Sequence, residues 1–342
     1  MDTAPDHARR PGSRAALPWV LRPPDLEAHG ITRADPLGGE VVAVAHGAWA
    51  PPGVLPAHPD ARIAATALRL APGCVVGGWA AARLHERAAD PDDDLTVFTG
   101  DVWHERAAPG GWVGDPSTSA RVLVCAPRAA RLRPGDHARI FRSVVPPADR
   151  TVVDGIPVTT PVRTAFDLAR LWWPPAAVAA MDRLLHLGAV DLAEVQAMAL
   201  VRHRWRGRPS ALQVLEKSDA GAASPQASAL RLLWLDAGLP RPRCNPVIRD
   251  SRGTFVARVD LLDPDVGVVG AYDGAHHADA ARRGSDARRE QALEGLGLAV
   301  VRATAADVAT EAASTAWQRR LRRAYRRRRT SRAETRWHMT DD

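Results

Sequence analysis

The chain is poor in cysteine, and the three it has, Cys74, Cys125 and Cys244, are far apart. An odd, scattered set excludes a disulfide framework and any zinc-ligand spacing, and a reducing cytoplasm is the expected setting. Lysine is nearly absent: Lys217 is the single lysine among 46 basic residues. So uniform a bias reflects coding composition, and arginine by itself carries no functional signal. Aromatic residues make up only 5%, yet 11 of them are tryptophan, which predicts a few large anchors in an Ala, Val and Leu interior. No apolar run approaches the roughly 20 residues of a membrane span. The first residues, with Asp2, Asp6, Arg9, Arg10 and Arg14, lack the apolar core of a signal peptide, so no membrane partner is expected. Also missing are a Gly-rich phosphate loop between strand and helix and any defensible pairing of a nucleophile with histidine, which sets aside P-loop and triad chemistry.

What is present is enough apolar material for real cores. With 342 residues, 46% of them hydrophobic, the chain can build two or three domains and is not disordered throughout. The net charge of +7 is local: residues 319–336 hold ten arginines and one acid, Glu334, while the remaining 36 basic and 38 acidic residues nearly cancel. A C-terminal helix carrying Arg319, Arg320, Arg322, Arg323, Arg326 and Arg327 is the one strong footprint for a polyanion. DNA, double-stranded and of unknown sequence, is the expected partner. The competing reading is a solvated helix that only keeps the protein soluble.

In chain order, residues 1–20 form a lead rich in Pro, Arg and Ala and expected to be disordered. Across 21–58, short helical stretches and then strands at 41–44 and 48–52, bent at Gly47, outline a small winged helix. Residues 59–160 read as an α+β middle domain, with helices from Asp60 and Trp79 followed by short strands at 96–98, 121–125, 138–144 and 156–158. His85 on the second helix reads as structural. From Thr160, an N-cap followed by Pro161, a helical segment runs to 216. Within it lies a basic turn, Arg202, His203, Arg204, Arg206 and Arg208, around Trp205. Such a turn suits a single strand or phosphates if the ring is exposed, and is a plain surface turn if the ring packs inward. A linker at 217–223 precedes a C-terminal domain at 224–316 and an arginine-rich tail at 317–342.

The C-terminal domain carries the chemistry. A helix over 225–237, with Leu230, Leu233 and Trp234 on one face, stops at Gly238. Apolar runs at 256–262 and 267–273 flank Asp263-Pro264-Asp265 and predict a hairpin. A charged helix over 282–296, stopped by Gly297, and a strand from Leu298 to Val301 follow. A four-residue loop from Asp263 to Val266 sets Asp260 opposite Val269, with residue 271 its diagonal neighbour at about 7–8 Å, a separation at which two carboxylates can grip one Mg2+. Position 271 is alanine. On that register Asp273 lies about 13 Å along the strand from the residue facing Asp260.

Val259-Asp260, then Ala271-Tyr272-Asp273-Gly274-Ala275-His276-His277, then Asp286, Arg289, Gly297 and Arg302 carry a resemblance. The stretch resembles the restriction-endonuclease-like nuclease fold with the loose PD-(D/E)XK signature, in the branch similar to very-short-patch-repair endonucleases. The resemblance implies an α/β domain with a mixed sheet and flanking helices, Mg2+ as cofactor and Asp260 as metal ligand. It also implies Asp260, Asp273 and His277 as a remnant catalytic site, His277 serving as general base or phosphate contact, with Arg289 and Arg302 facing nucleic acid. The family has acids where this chain has Ala227 and Ala271, and Glu290 or Glu294 is the candidate displaced acid. Mg2+ needs hard oxygen ligands to activate water, so two lost carboxylates imply the fold more strongly than the activity.

The function expected from these residues is nucleic-acid binding by a protein whose nuclease-like domain is impaired, in defence, repair or regulation. The alternatives are an active Mg2+-dependent endonuclease built on Asp260 with a displaced acid, and a non-catalytic interaction protein with a partner of toxin–antitoxin type. The last rests on a second resemblance. Ile31-Thr32-Arg33 followed by Gly47-Ala48-Trp49-Ala50-Pro51 resembles the N-terminal part of abortive-infection antitoxins, whose winged helix binds DNA. The stretch from Pro161 to Ala169, Pro-x-Arg-Thr-x-x-Asp-Leu-Ala, is one the family shows ahead of its nuclease domain.

Overall fold

The computed structural model describes residues 41–45, 47–50, 58–91, 97–98, 121–132, 138–222, 224–273, 280–330 and 336–340. The lead, the helical stretches expected before residue 41, and His277 lie outside the described residues. The chain divides into two units: among the described residues the first holds those up to Trp173 and from Leu187 to Leu215, and the second holds Pro174–His186 and everything from Glu216 on. The sequence separates a middle domain from a helical segment at 160, but the structure puts most of both in the first unit.

The first unit opens with a hairpin, β1 (Val42–Ala45) and β2 (Ala48–Ala50), turning at Gly47 with φ 69°. Val44, Ala48 and Ala50 bury against Ala61 and Ala65 of α1 (Pro59–Ala67). Then come β3 (Val75–Gly77), α2 (Gly78–Ala89), β4 (Val122–Ala126), β5 (Ala138–Arg142), β6 (Arg150–Val153) and β7 (Ile156–Thr159). These strands make a mixed five-stranded sheet in the order β5-β4-β3-β7-β6, with β4–β5 and β3–β7 parallel. The strand expected at 96–98 does not form over Val97 and Phe98. Their backbone N–H groups instead donate to the Glu86 carboxylate at 3.0 and 3.3 Å, because a buried acid on α2 needs donors more than the segment needs a ladder. Next, α3 (Pro161–Leu171) starts where the Thr160 hydroxyl accepts from the Arg163 N–H. It buries Phe166, Leu168 and Ala169. After α4 (Pro174–His186), which belongs to the second unit, α5 (Leu192–Val201) and α6 (Arg208–Lys217) follow.

The second unit is a layered α/β body. Its later elements are α7 (Pro225–Asp236), β8 (Arg243–Cys244), β9 (Val247–Asp250), β10 (Phe255–Arg258), β11 (Leu261–Asp263), β12 (Val268–Asp273), α8 (Ala280–Gly295), β13 (Ala299–Thr304), α9 (Ala305–Ala309), α10 (Glu311–Thr330) and β14 (Trp337–Thr340). One sheet runs β13-β12-β11-β8, with β12 and β13 parallel, and a second runs β10-β9-β14. Because side chains alternate along a strand, Leu261 and Val268 face a core with Trp234 of α7 and Trp317 of α10. Leu262 and Val269 face the other core, with Ile248, Ala257 and Leu293 of α8. Burying each such side chain contributes roughly 1.5–3 kcal/mol.

Two expectations change here. The strand expected at 256–262 is broken: β10 pairs with β9 in one sheet and β11 with β8 in the other. The bend falls at Val259 and Asp260, across from Asn245, whose φ is 53° and whose N–H donates to the Asp260 carbonyl at 2.9 Å. The hairpin register is also shifted by two residues. Asp263 stays in the strand opposite Val268, and the turn is residues 264–267, closed by Gly267 at φ 71°. The Asp263 carboxylate accepts from the N–H groups of Asp265 and Val266, which fixes this turn rather than the one starting at Asp263.

Candidate functional site

Asp260 sits at that bend, directly across from position 271 by extension of the pairs Leu261–Gly270 and Leu262–Val269. Asp273 is then its diagonal neighbour, a step of about 7–8 Å between Cα atoms, and not the distant residue the first register implied. The Asp260 carboxylate accepts from the Tyr272 N–H at 2.6 Å. Burial pushes its pKa up, and that hydrogen bond pulls it partly back. Asp260, Asp273, Arg289, Glu290 and Arg302 line one cleft of about 200 Å³.

Glu290, one of the two candidate displaced acids, lines the same cleft as Asp260, but Arg302 engages it. The guanidinium binds Glu290 Oε2 at 2.8 Å and Asp273 Oδ2 at 3.5 Å. Ala227, at a position where the nuclease resemblance calls for an acid, lies buried in the first turn of α7, its N–H donating to the Ser224 hydroxyl. Among the described residues no three His, Cys, Asp or Glu side chains are grouped to hold a metal ion. Mg2+ does not fit the cleft as arranged, because a cation there would face a guanidinium already bound to two of the three acids.

The arginine-rich stretch expected from 317 is helical, and its helix, α10, begins earlier, at Glu311. Trp317, Leu321 and Tyr325, at i, i+4 and i+8, are the buried stripe of α10. Trp317 Nε1 donates to the Arg302 carbonyl at 3.0 Å, and the Tyr325 hydroxyl donates to Asp263 Oδ2 at 2.6 Å. Arg319, Arg320, Arg322, Arg323, Arg326 and Arg327 are all exposed on this anchored helix. The strand β14, unforeseen in the sequence, then pairs antiparallel with β9.

The basic turn around Trp205 takes the plain reading. Its ring lies under the guanidinium groups of Arg163 at 4.4 Å, Arg170 at 4.9 Å and Arg202 at 5.0 Å, so the aromatic face is spent inside the first unit. Gly207 closes the turn at φ 82°, and a Cβ there would strike the Arg170 carbonyl.

The stretch from Pro161 to Ala169 proves to be a buried charge network. Arg163 binds Asp167 at 2.8 Å and Asp149 at 2.9 Å, and Asp167 also takes Arg170 at 2.7 Å. The Thr164 hydroxyl meets Thr159 Oγ1 at 2.6 Å. Spacings of four and three residues between these charges were the available signal, since such residues share a helix face. His85 is structural as expected: it is buried, with Nε2 2.8 Å from the Thr159 carbonyl.

With this geometry in hand, the relatives can be placed. The family described as AbiEi antitoxin C-terminal domain matches residues 113–216, which include the buried charge network and the turn at Trp205. The antitoxin-like region therefore lies over the middle of the chain, downstream of the N-terminal motif that first suggested it. Two uncharacterised proteins from two strains of Mycobacterium tuberculosis are each 31% identical over 160 residues, 46% of this chain and 59% of theirs. The chain thus spans less than two thirds of the length of these relatives. No solved structure matches it. Among the described residues no helix is long and apolar enough to cross a membrane.

Proposed function

We propose that this chain is a nucleic-acid-binding regulator of antitoxin type whose C-terminal unit is built like a PD-(D/E)XK nuclease and does not cut. The observation that carries the reading is the set of exposed arginines on α10, held in place by three buried side chains. A helix so anchored offers its charges to phosphates without first having to order itself. The match over 113–216 supports an antitoxin-like regulatory role, with a toxin-type protein as partner.

A second reading, a Mg2+-dependent endonuclease, is favoured by one fact: Asp260, Asp273 and Glu290 share a cleft. The Arg302 ion pairs oppose it. Two assays separate the readings. Plasmid incubated with Mg2+ or Mn2+ is expected to stay intact, and scission that disappears in Asp260→Ala makes the protein an enzyme. Duplex DNA affinity is expected to fall steeply with salt and to drop in Arg319→Glu/Arg326→Glu, and unchanged binding in that variant removes the nucleic-acid reading. Substitution is the suitable change, because Trp317, Leu321 and Tyr325 of the same helix belong to the core.

A further inference from the structure

Helix α10 carries two arginine stripes. At 3.6 residues per turn, Arg319 and Arg326 share an outward face, whereas Arg320, Arg323 and Arg327 line the rim of the sheet. With Val300, Val301, Arg302, Thr304 and Asp307 they line a groove of about 550 Å³ along β13. That strand is the sheet's edge: among the described residues its one strand partner is β12. Three arginines of α10 meet one carboxylate in the groove, Asp307, which binds Arg320 at 2.8 Å, while the Arg302 guanidinium is held by Glu290 and Asp273. Val300 and Arg302 are also walls of the acid cleft, so groove and cleft meet at Arg302.

We propose that this groove is a track for single-stranded nucleic acid, in which Arg323 and Arg327 take phosphates and Arg302 marks where the strand reaches the cleft. The proposal rests on the nucleic-acid reading above and gives it a substrate form. A duplex is a broad convex cylinder and suits the outward stripe, whereas a concave groove along one strand edge admits a single backbone. From Arg320 to Arg327 is about 10.5 Å of helix axis, enough to follow a short run of phosphates. No aromatic ring lines the groove, so binding there is electrostatic and indifferent to base identity. At Arg302 an entering phosphate competes with Glu290 and Asp273 for the same guanidinium.

An acidic protein segment added to the edge of β13 would also match the charge. It is disfavoured because the Arg302 carbonyl, in the body of the strand, is already taken by Trp317 Nε1 at 3.0 Å and Arg320 Nη2 at 3.2 Å, which interrupts the ladder such a segment needs.

The test titrates the full chain into three labelled probes: oligo(dT) of about 12 nucleotides, a duplex of the same length and an oligoglutamate peptide. Arg323→Glu/Arg327→Glu should weaken oligo(dT) binding by about tenfold or more and flatten its log–log salt dependence by about 1.4, two phosphates at roughly 0.7 each. The outward pair Arg319→Glu/Arg326→Glu should keep oligo(dT) and lose duplex. Arg323→Gln/Arg327→Gln, which adds no repulsion, should give the same change in salt slope if the glutamate pair folds poorly by circular dichroism. Unchanged oligo(dT) affinity in a folded groove variant overturns the proposal, as does oligoglutamate binding more tightly than oligo(dT). If the outward pair loses duplex while the groove pair keeps oligo(dT), the track falls and the nucleic-acid reading survives.

Discussion

In the first unit, Arg83, Arg163 and Arg170 are buried and each is matched to a carboxylate: Asp60 at 2.5 Å, Asp149 and Asp167 at 2.9 and 2.8 Å, and Asp167 at 2.7 Å. In the second, Arg319, Arg323, Arg326 and Arg327 stand in solvent on α10. The second unit keeps its own fully buried pair, Arg231 with Asp182, whose carboxyl burial pushes up to about 6. The same residue type therefore does two jobs. A buried guanidinium fixes which helices and loops meet, because leaving its partner alone inside is costly, while an exposed one is available to something outside. Counting arginines could not separate these roles, but their places relative to carboxylates do.

The sharpest way to break this contrast is to remove one arginine of each kind. Arg163→Ala takes one of two guanidinium partners from each of Asp149 and Asp167, leaving Arg202 and Arg170, and should cost about 3 kcal/mol, seen as a large drop in Tm. Arg323→Ala should leave Tm where it is. A silent Arg163→Ala would mean the network is decoration.

Next in size is Tyr325→Phe, which keeps the ring against Trp234 but takes a donor from the buried Asp263. A loss of about 1–3 kcal/mol is expected in urea unfolding. No loss would mean that the Tyr325–Asp263 hydrogen bond does not tie α10 to the turn.

A smaller effect follows from His85. Burial lowers its pKa below 6.5, against a lesser raising effect of the Thr159 carbonyl, so the folded protein holds it neutral while the unfolded chain takes a proton below that pH. Its contribution is complete above pH 6.5 and is lost as pH falls toward the folded value, with a slope of at most about 1.4 kcal/mol per pH unit. His85→Gln should flatten the Tm profile between pH 7 and pH 5, and an unaltered profile would assign that slope elsewhere.

Smallest is a matter of reactivity. Burial pushes the thiols of Cys125, in the first unit, and Cys244, in the second, up to about 12. Iodoacetamide at pH 8 should label neither until urea unfolds the protein, as mass spectrometry would show.

Much of the second unit was legible because its signals are local. The stop of α7 at Gly238, the charged helix α8 and the strand after Gly297 all follow from caps and periodicity within a few residues. The register was not, since Asp-Pro-Asp announces a turn without saying that Gly267, at φ 71°, closes it. The bend at Asp260 depends on Asn245, fifteen residues away in sequence but bonded across the strands. Helix α6 lies within the helical segment expected to 216, but no cap or spacing separates its first residue, Arg208, from the basic turn. At the cleft, Asp260, Asp273 and Glu290 could each be named, but that Arg302 binds the last two depends on how α8 packs on β13, which no spacing records.

The strand β14 also bears on how the protein can be handled. Its pairing along β9, from Trp337 beside Asp250 to Thr340 beside Val247, occupies a flank that would otherwise offer unpaired backbone groups to any passing chain. Trimming after the arginine helix would leave that flank open next to Ile248. Clumping, before any change in affinity, is the first symptom to look for in material shortened there.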